Sequence, residues 1–139
     1  MSGTKRRNNE RIADAELDIM RVLWQTGRSL RASEIVKMLS ETRSWKTQTA
    51  HVLLNRLEEK GFIEADRSGY YHEYRYLVSE RDYFISESGS LLRRIGGNLK
   101  TMMVSLVDTE NITEEDLLEM YEILDKKREE LKGRRAGEQ

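Results

Sequence analysis

The chain has 139 residues, 37% of them hydrophobic and 35% charged, with a formal net charge of -1, which allows one domain and a smaller second one around a modest core. With no cysteine it can hold no disulfide, thiol nucleophile or Cys-ligated metal, and with no proline nothing forbids long helices. No apolar run approaches the length of a membrane span and the basic start is unlike a signal peptide, so a cytoplasmic protein without membrane contact is expected.

Residues 1–11 read as a flexible basic tail, in which Lys5, Arg6, Arg7 and Arg11 face only Glu10. It is expected to serve either as a solubilising end or as an arm reaching phosphate. The first predicted helix starts at Ala13 or Asp14, carries Leu17, Met20, Val22, Leu23 and Trp24, and stops at Thr26-Gly27. Arg28 to Arg31 is a short extended link. A second helix opens at Ala32-Ser33-Glu34 with Ser33 as one plausible cap, and turns Ile35, Val36, Met38 and Leu39 inward.

After the polar turn Glu41-Thr42-Arg43-Ser44 comes the most informative segment, a third helix ending at Lys60-Gly61. Its first residue is open among Ser44, Lys46 and Thr47. Ala50, Leu53, Leu54 and Leu57 recur at i, i+3, i+4 and i+7, so they share one face while Gln48, Val52, Asn55 and Glu59 lie opposite. Gln and Asn can pair with adenine edges and Val can meet a thymine methyl, so Gln48, Val52 and Asn55 suit the reading of bases. Lys46 and Arg56 suit phosphates on either side, and Thr47, Thr49 and His51 complete the expected DNA-facing set. Glu58 and Glu59 would be repelled by phosphate, which puts the N-terminal half of the helix in the groove.

Beyond Gly61 the composition becomes strand-like. Phe62 to Asp66 and Tyr70 to Val78 predict an antiparallel hairpin joined tightly at Arg67-Ser68-Gly69, with Tyr70, His72, Tyr74 and Tyr76 on one face. Arg67, Ser68 and Tyr70 near its tip are candidates for phosphate or minor-groove contact. Helix, short strand, two helices and a hairpin is the order of a winged helix-turn-helix. The fold class expected is therefore mainly α with a small antiparallel β wing, followed by a C-terminal helical dimerisation region.

That region is read from residues 80–132. A helix from Glu80 to Ile95 is broken at Gly96-Gly97, Leu99 to Val107 forms another, and Thr113 caps a last one, with Ile112 and Leu117 placed as a hydrophobic staple. Leu117, Tyr121, Leu124 and Leu131 extend one stripe. Such a stripe is usually intramolecular core, but three short helices have too little interior of their own, so Leu91, Leu99, Met103, Leu106, Leu117, Tyr121 and Leu124 are expected to be buried against a second copy. The domains expected are thus a tail (1–11), a winged-helix domain (12–79), a dimerisation domain (80–132) and a disordered end (133–139). Charge follows the same division: residues 1–79 carry 14 Lys+Arg against 11 Asp+Glu, and residues 80–139 carry 10 against 14.

The runs Asp14 to Trp24, Trp45 to Thr49, Leu54-Asn55-Arg56-Leu57 and Lys60-Gly61-Phe62-Ile63 together resemble the penicillinase and methicillin-resistance repressor family, the BlaI/MecI type with CopY as a relative. The resemblance runs from about Ile12 to Lys132. It implies a homodimeric transcriptional repressor on a palindromic operator, with a sensor or protease as a further partner. The chain departs from that pattern in three places. Lys46-Thr47 stand where a Ser-Pro pair commonly follows the tryptophan, Ser105-Leu106 stand where antibiotic-responsive members carry the Asn-Phe bond that is cut, and the paired cysteines of the copper-sensing branch are missing. An enzyme is not expected: His51 and His72 are the only histidines, and there is no phosphate-binding Gly-rich loop or His-carboxylate metal spacing, so neither metal nor cofactor is expected. A winged-helix module that binds protein rather than DNA is the alternative.

Overall fold

A computed structural model describes residues 11–109 and 111–138. The basic tail expected over 1–11 lies outside them except for Arg11. In chain order the elements are α1 (Asp14–Thr26), α2 (Ala32–Met38), α3 (Thr47–Glu59), β1 (Ile63–Asp66), β2 (Glu73–Tyr76), α4 (Glu80–Arg94), α5 (Leu99–Val107) and α6 (Glu114–Glu138). The chain divides into two compact units, one reaching to Leu91 and one beginning at Leu92.

In the first unit α1, α2 and α3 enclose a core closed by the hairpin. Ile19, Met20 and Leu23 of α1 meet Ile35 of α2, Leu54 and Leu57 of α3, and Phe62, Ile63 and Tyr74 from the hairpin, all fully or almost fully buried. Two glycines set the helix ends. Gly27 takes the left-handed conformation (φ 70°) and donates its N–H to the Leu23 carbonyl. Gly61 (φ 82°) does the same after α3, where the N–H groups of Gly61 and Phe62 reach back to the carbonyls of Glu58 and Leu57, a Schellman closure that turns the chain into β1.

The hairpin is antiparallel, pairing Ile63 with Tyr76, Glu64 with Arg75, Ala65 with Tyr74 and Asp66 with Glu73. Leu30 exchanges both backbone hydrogen bonds with Tyr74 at 2.9 and 2.8 Å, so the link before α2 flanks β2 on its other side. The connection between the strands is longer than the tight turn expected at Arg67-Ser68-Gly69. It runs from Arg67 to His72, because Asp66 accepts hydrogen bonds from the Ser68 backbone and hydroxyl and closes the chain locally before the second strand can begin.

Several inward positions differ from the sequence expectation. Ile19, not singled out, is fully buried, while Met38 is exposed at the C-terminal end of the short α2. Ser33 is not the cap of α2. Arg31 holds that position, and the Glu34 carboxylate accepts its backbone N–H at 3.0 Å. Glu16 plays the same part at α1, accepting the Ala13 N–H at 2.7 Å, and it is only 1% exposed. The Lys60 ammonium, 2.9 and 3.2 Å from its two oxygens, neutralises it and also donates to the Arg11 carbonyl.

The first turns of α4 belong to this unit. The Trp24 indole N–H donates to the Val78 carbonyl at 2.9 Å, and the Tyr83 ring packs on Trp24 and edge-on to Phe62, at centroid distances of 5.7 and 6.1 Å. The boundary expected at 79/80 therefore falls short of the structural division by about one helix. In the second unit α5 follows the left-handed Gly96-Gly97 pair, and the Asn98 carboxamide accepts the Thr101 N–H as its cap. Thr113 caps α6 as expected, its hydroxyl accepting the Asp116 N–H while Asp116 accepts the Thr113 N–H, both at 3.0 Å. The segment expected as a disordered end continues α6 through Glu138, since it has no proline and adds one backbone hydrogen bond per residue to a helix already nucleated.

Candidate nucleic-acid interface

The apolar face of α3 behaves as its spacing requires: Ala50, Leu53, Leu54 and Leu57 are buried. That fixes the rotation of the helix. Lys46, Thr47, Gln48, Thr49, His51, Val52, Asn55 and Arg56 are all exposed, and Val52, an apolar side chain in the middle of this polar face, is 50% accessible. Lys46 takes the extended N-cap conformation (φ -83°, ψ 158°) and Thr47 is the first helical residue. That first position is the one at which proline is most at home, because its N–H has no partner within the helix. The Lys46-Thr47 departure thus leaves the helix start where a Ser-Pro pair would put it.

Approaching α3, the chain is held by Arg43, whose Nε donates to Asp18 on α1 at 2.8 Å and whose guanidinium lies 5.4 Å from the centre of the Trp45 ring. The tryptophan that marks the motif is partly buried against the core at the turn into the helix.

The wing candidates divide. Tyr70 is 91% exposed and stacks edge-on against Tyr71 at 4.8 Å. Arg67 is engaged: both of its terminal nitrogens donate to the Glu58 carboxylate, at 2.9 and 2.7 Å. Hydrogen bonding to Arg67 holds the Glu58 carboxyl below its ordinary range against the opposing effect of partial burial, and the Arg67 charge and the nearby His72 act electrostatically in the same direction. The expected repulsion between Glu58 and phosphate is thereby offset, at the cost of a free cation at the tip. Ser68 donates to Asp66, whose carboxyl is lowered by those hydrogen bonds.

The structure adds residues that the sequence reading passed over. Arg31 lies with its guanidinium 5.0 Å from the centre of the Tyr71 ring, so the start of α2 and the wing loop meet. His72, expected in a strand, precedes β2 and is exposed. Only Arg31's place next to the second helix hinted at this, since contact with a loop some 40 residues on has no local periodicity. Of the seven expected dimerisation positions, Leu91, Leu99, Leu106, Tyr121 and Leu124 are exposed, and Met103 and Leu117 half-buried. Leu118 and Ile123, off the expected stripe, are exposed too, so the first half of α6 is apolar on more than one side.

A model of the penicillinase repressor family matches residues 12–126. The chain belongs to the penicillinase repressor family. It is 33% identical over 115 residues to a penicillinase repressor of Bacillus licheniformis, covering 82% of this chain and 89% of that protein. To the methicillin resistance regulatory protein MecI of Staphylococcus aureus strain N315 it is 26% identical over 117 residues, covering 84% and 94%. Among solved structures, that of monomeric Bacillus licheniformis BlaI in complex with the blaP half-operator aligns over 53% of this chain and 89% of that chain, at 34% identity and a TM-score of 0.45. The sequence match over residues 12–126 carries the family. In this penicillinase repressor family chain no helix is long and apolar enough to cross a membrane among the described residues.

Proposed function

We propose that this penicillinase repressor family protein reads its operator through the exposed face of α3 and binds as a homodimer. It is a DNA-binding transcriptional repressor. The observation that carries the reading is the rotation of α3, whose four buried residues leave Gln48, Val52 and Asn55 together on the open side. Gln48 and Val52, at the end nearer the N-terminus, contact base edges, and Lys46 and Arg56 contact phosphate. The exposed apolar residues of α5 and α6 support a second copy as the occupant of that surface, and a symmetric pair of reading helices fits a palindromic operator.

The protein works in the cytoplasm, with a sensor or protease partner completing the circuit. Ser105-Leu106, within α5, stand where antibiotic-responsive members carry the Asn-Phe bond, so cleavage of that bond is not supported as the route of release. The test is an electrophoretic shift of the full chain with genomic fragments across a salt series. Binding to discrete fragments that weakens steeply as salt rises is the expected result. Absence of any shift, with capture of a protein partner insensitive to salt, would replace this reading with that of a protein-interaction module.

A further inference from the structure

Both histidines of the chain line a single depression of about 330 Å³ between α3, the start of α2 and the wing loop. His51 comes from α3 and His72 from the wing loop, and with them are Arg31, Ser33, Thr47 and Tyr71. No carboxylate is among the lining residues. A second depression also touches Arg31, Tyr70 and Tyr71 but is lined by Asp66 and Glu73. The two depressions thus differ in charge, and of the two only the one lined by α3 residues presents a cation, two imidazoles and hydroxyls without an anion.

We propose that this depression seats one phosphate of the DNA backbone, and that His51 and His72 make the seat stronger as they take up protons. The inference rests on the DNA-binding reading above and adds a phosphate contact beside the base contacts of α3. Arg31 is held for the purpose from two sides: its guanidinium lies against the Tyr71 ring, and its Nε is 3.6 Å from Glu34, a carboxylate that is itself engaged by Arg28 at 3.1 Å. A planar guanidinium with free edges pairs with phosphate oxygens, and the Ser33 and Thr47 hydroxyls add neutral donors.

Imidazole is the side chain whose charge changes between about pH 5 and 8. The other charged groups on the elements around the two histidines are Arg31 before α2 with Glu34 and Lys37 on it, Lys46 before α3 with Arg56, Glu58 and Glu59 on it, and Glu64, Asp66, Arg67, Glu73 and Arg75 on the hairpin. Glu58 acts electrostatically on His72 but is already paired with Arg67. Carboxylates, ammonium groups and guanidinium groups ordinarily keep their charge in that window, so a pH dependence of binding there belongs to the histidines.

The probe is a duplex selected by the full chain from a randomised pool of about 40 base pairs, with affinity measured at pH 6.0 and 8.0 over a salt series. The parent protein should bind roughly 3- to 10-fold more tightly at pH 6.0, with a steeper salt dependence there, because a protonated histidine displaces additional counterions. The exposed pair His51→Gln/His72→Gln should lose that difference in affinity between the two pH values. Arg31→Gln should lower the salt slope by about 0.9 at both pH values, as one phosphate contact does, and Arg31→Lys should restore it. Thermal unfolding of each variant separates a lost contact from a lost fold. A double-histidine variant with the parent's pH dependence, or an Arg31→Gln variant with the parent's salt slope, overturns the seat and leaves the DNA-binding reading standing. Failure to select any duplex overturns both.

Discussion

The two units of this chain solve the burial problem in opposite ways. In the first, fifteen hydrophobic residues from three helices and a hairpin are buried. In the second no described residue reaches that state, and leucines, an isoleucine and a tyrosine (Leu99, Leu106, Leu118, Tyr121, Ile123, Leu124) face outward, Tyr121 being 71% exposed. Isolated exposed apolar residues are ordinary, but a helix apolar on several sides is not a solvated surface helix. The first unit has a buried core of its own, whereas the second leaves its apolar residues on the surface. Under the proposed homodimer this difference suits a repressor, because the reading part can be rigid alone while its affinity depends on being held in pairs.

Separating the units breaks the comparison most severely. A fragment ending at Leu91 should fold, sediment as a monomer and bind operator DNA about 10²- to 10⁴-fold more weakly than the full chain, since each half-site loses the effective concentration its partner supplies. The cut belongs there and not after Val78. Removing Tyr83 uncovers Trp24 and Phe62 and should cost the shorter fragment roughly a further 1–2 kcal/mol in denaturant unfolding. A Leu91 fragment that still sediments as a dimer would move the interface into the first unit.

Within that unit the buried Glu16–Lys60 pair is the most exposed to single-site damage. Lys60→Met leaves a carboxylate that is 1% exposed with, among the described residues, only the Ala13 N–H for a partner and should destabilise by about 3–5 kcal/mol, while Glu16→Gln/Lys60→Met together should recover most of it. Urea unfolding of the two variants checks this. Equal losses in both would mean that the packing of the lysine stem, rather than its charge, holds the start of α1.

A smaller effect sharpens the account of the reading face. Gln48→Ala and Val52→Ala should each relax base preference at one position per half-site by about 1–3 kcal/mol without changing stability, since both side chains are exposed. Arg56→Gln and Lys46→Gln should weaken binding to all sequences alike and flatten its salt dependence. Affinities for single-base operator variants at two salt concentrations distinguish the two classes. Should Arg56 prove to choose the base and Gln48 not, the helix sits rotated in the groove.

What could be read from the sequence followed distance along the chain. The apolar face of α3, the Gly27 and Gly61 stops and the Thr113 cap all depend on neighbours within one or two turns, and each stands where its pattern put it. The errors came either from a local bond that competed with the expected one or from a partner far along the chain. Ser33 looked like a cap because its type favours that position, but Glu34 reached back to Arg31 instead. The hairpin connection lengthened because Asp66 and Ser68 closed a local turn of their own, and Glu16 gave no sign that a lysine 44 residues on would bury it. In the candidate interface the α3 residues were legible because periodicity places them. The Arg67–Glu58 pair and the Arg31–Tyr71 contact were not, since they depend on how the wing folds back.

The wing ion pair is the smallest and most informative place to press. Arg67 lowers the Glu58 carboxyl in the folded chain, so the pair contributes stability above the ordinary carboxylate pKa of about 4.3 and loses it as pH falls through the lowered folded value. Both side chains are partly exposed, 49% for Arg67 and 31% for Glu58, so Glu58→Gln should cost below about 1 kcal/mol at pH 7. The gap between parent and variant should close on acidification below the folded pKa, which urea unfolding along a pH series reads directly. Binding gives the second readout. With its partner gone, Arg67 becomes a free cation at the edge of the wing, and Glu58→Gln should raise affinity for any duplex and steepen the salt slope by about 0.9 if the guanidinium then meets a phosphate. An unchanged salt slope would mean that the wing tip stands clear of the backbone, leaving phosphate contact to α3 and the start of α2.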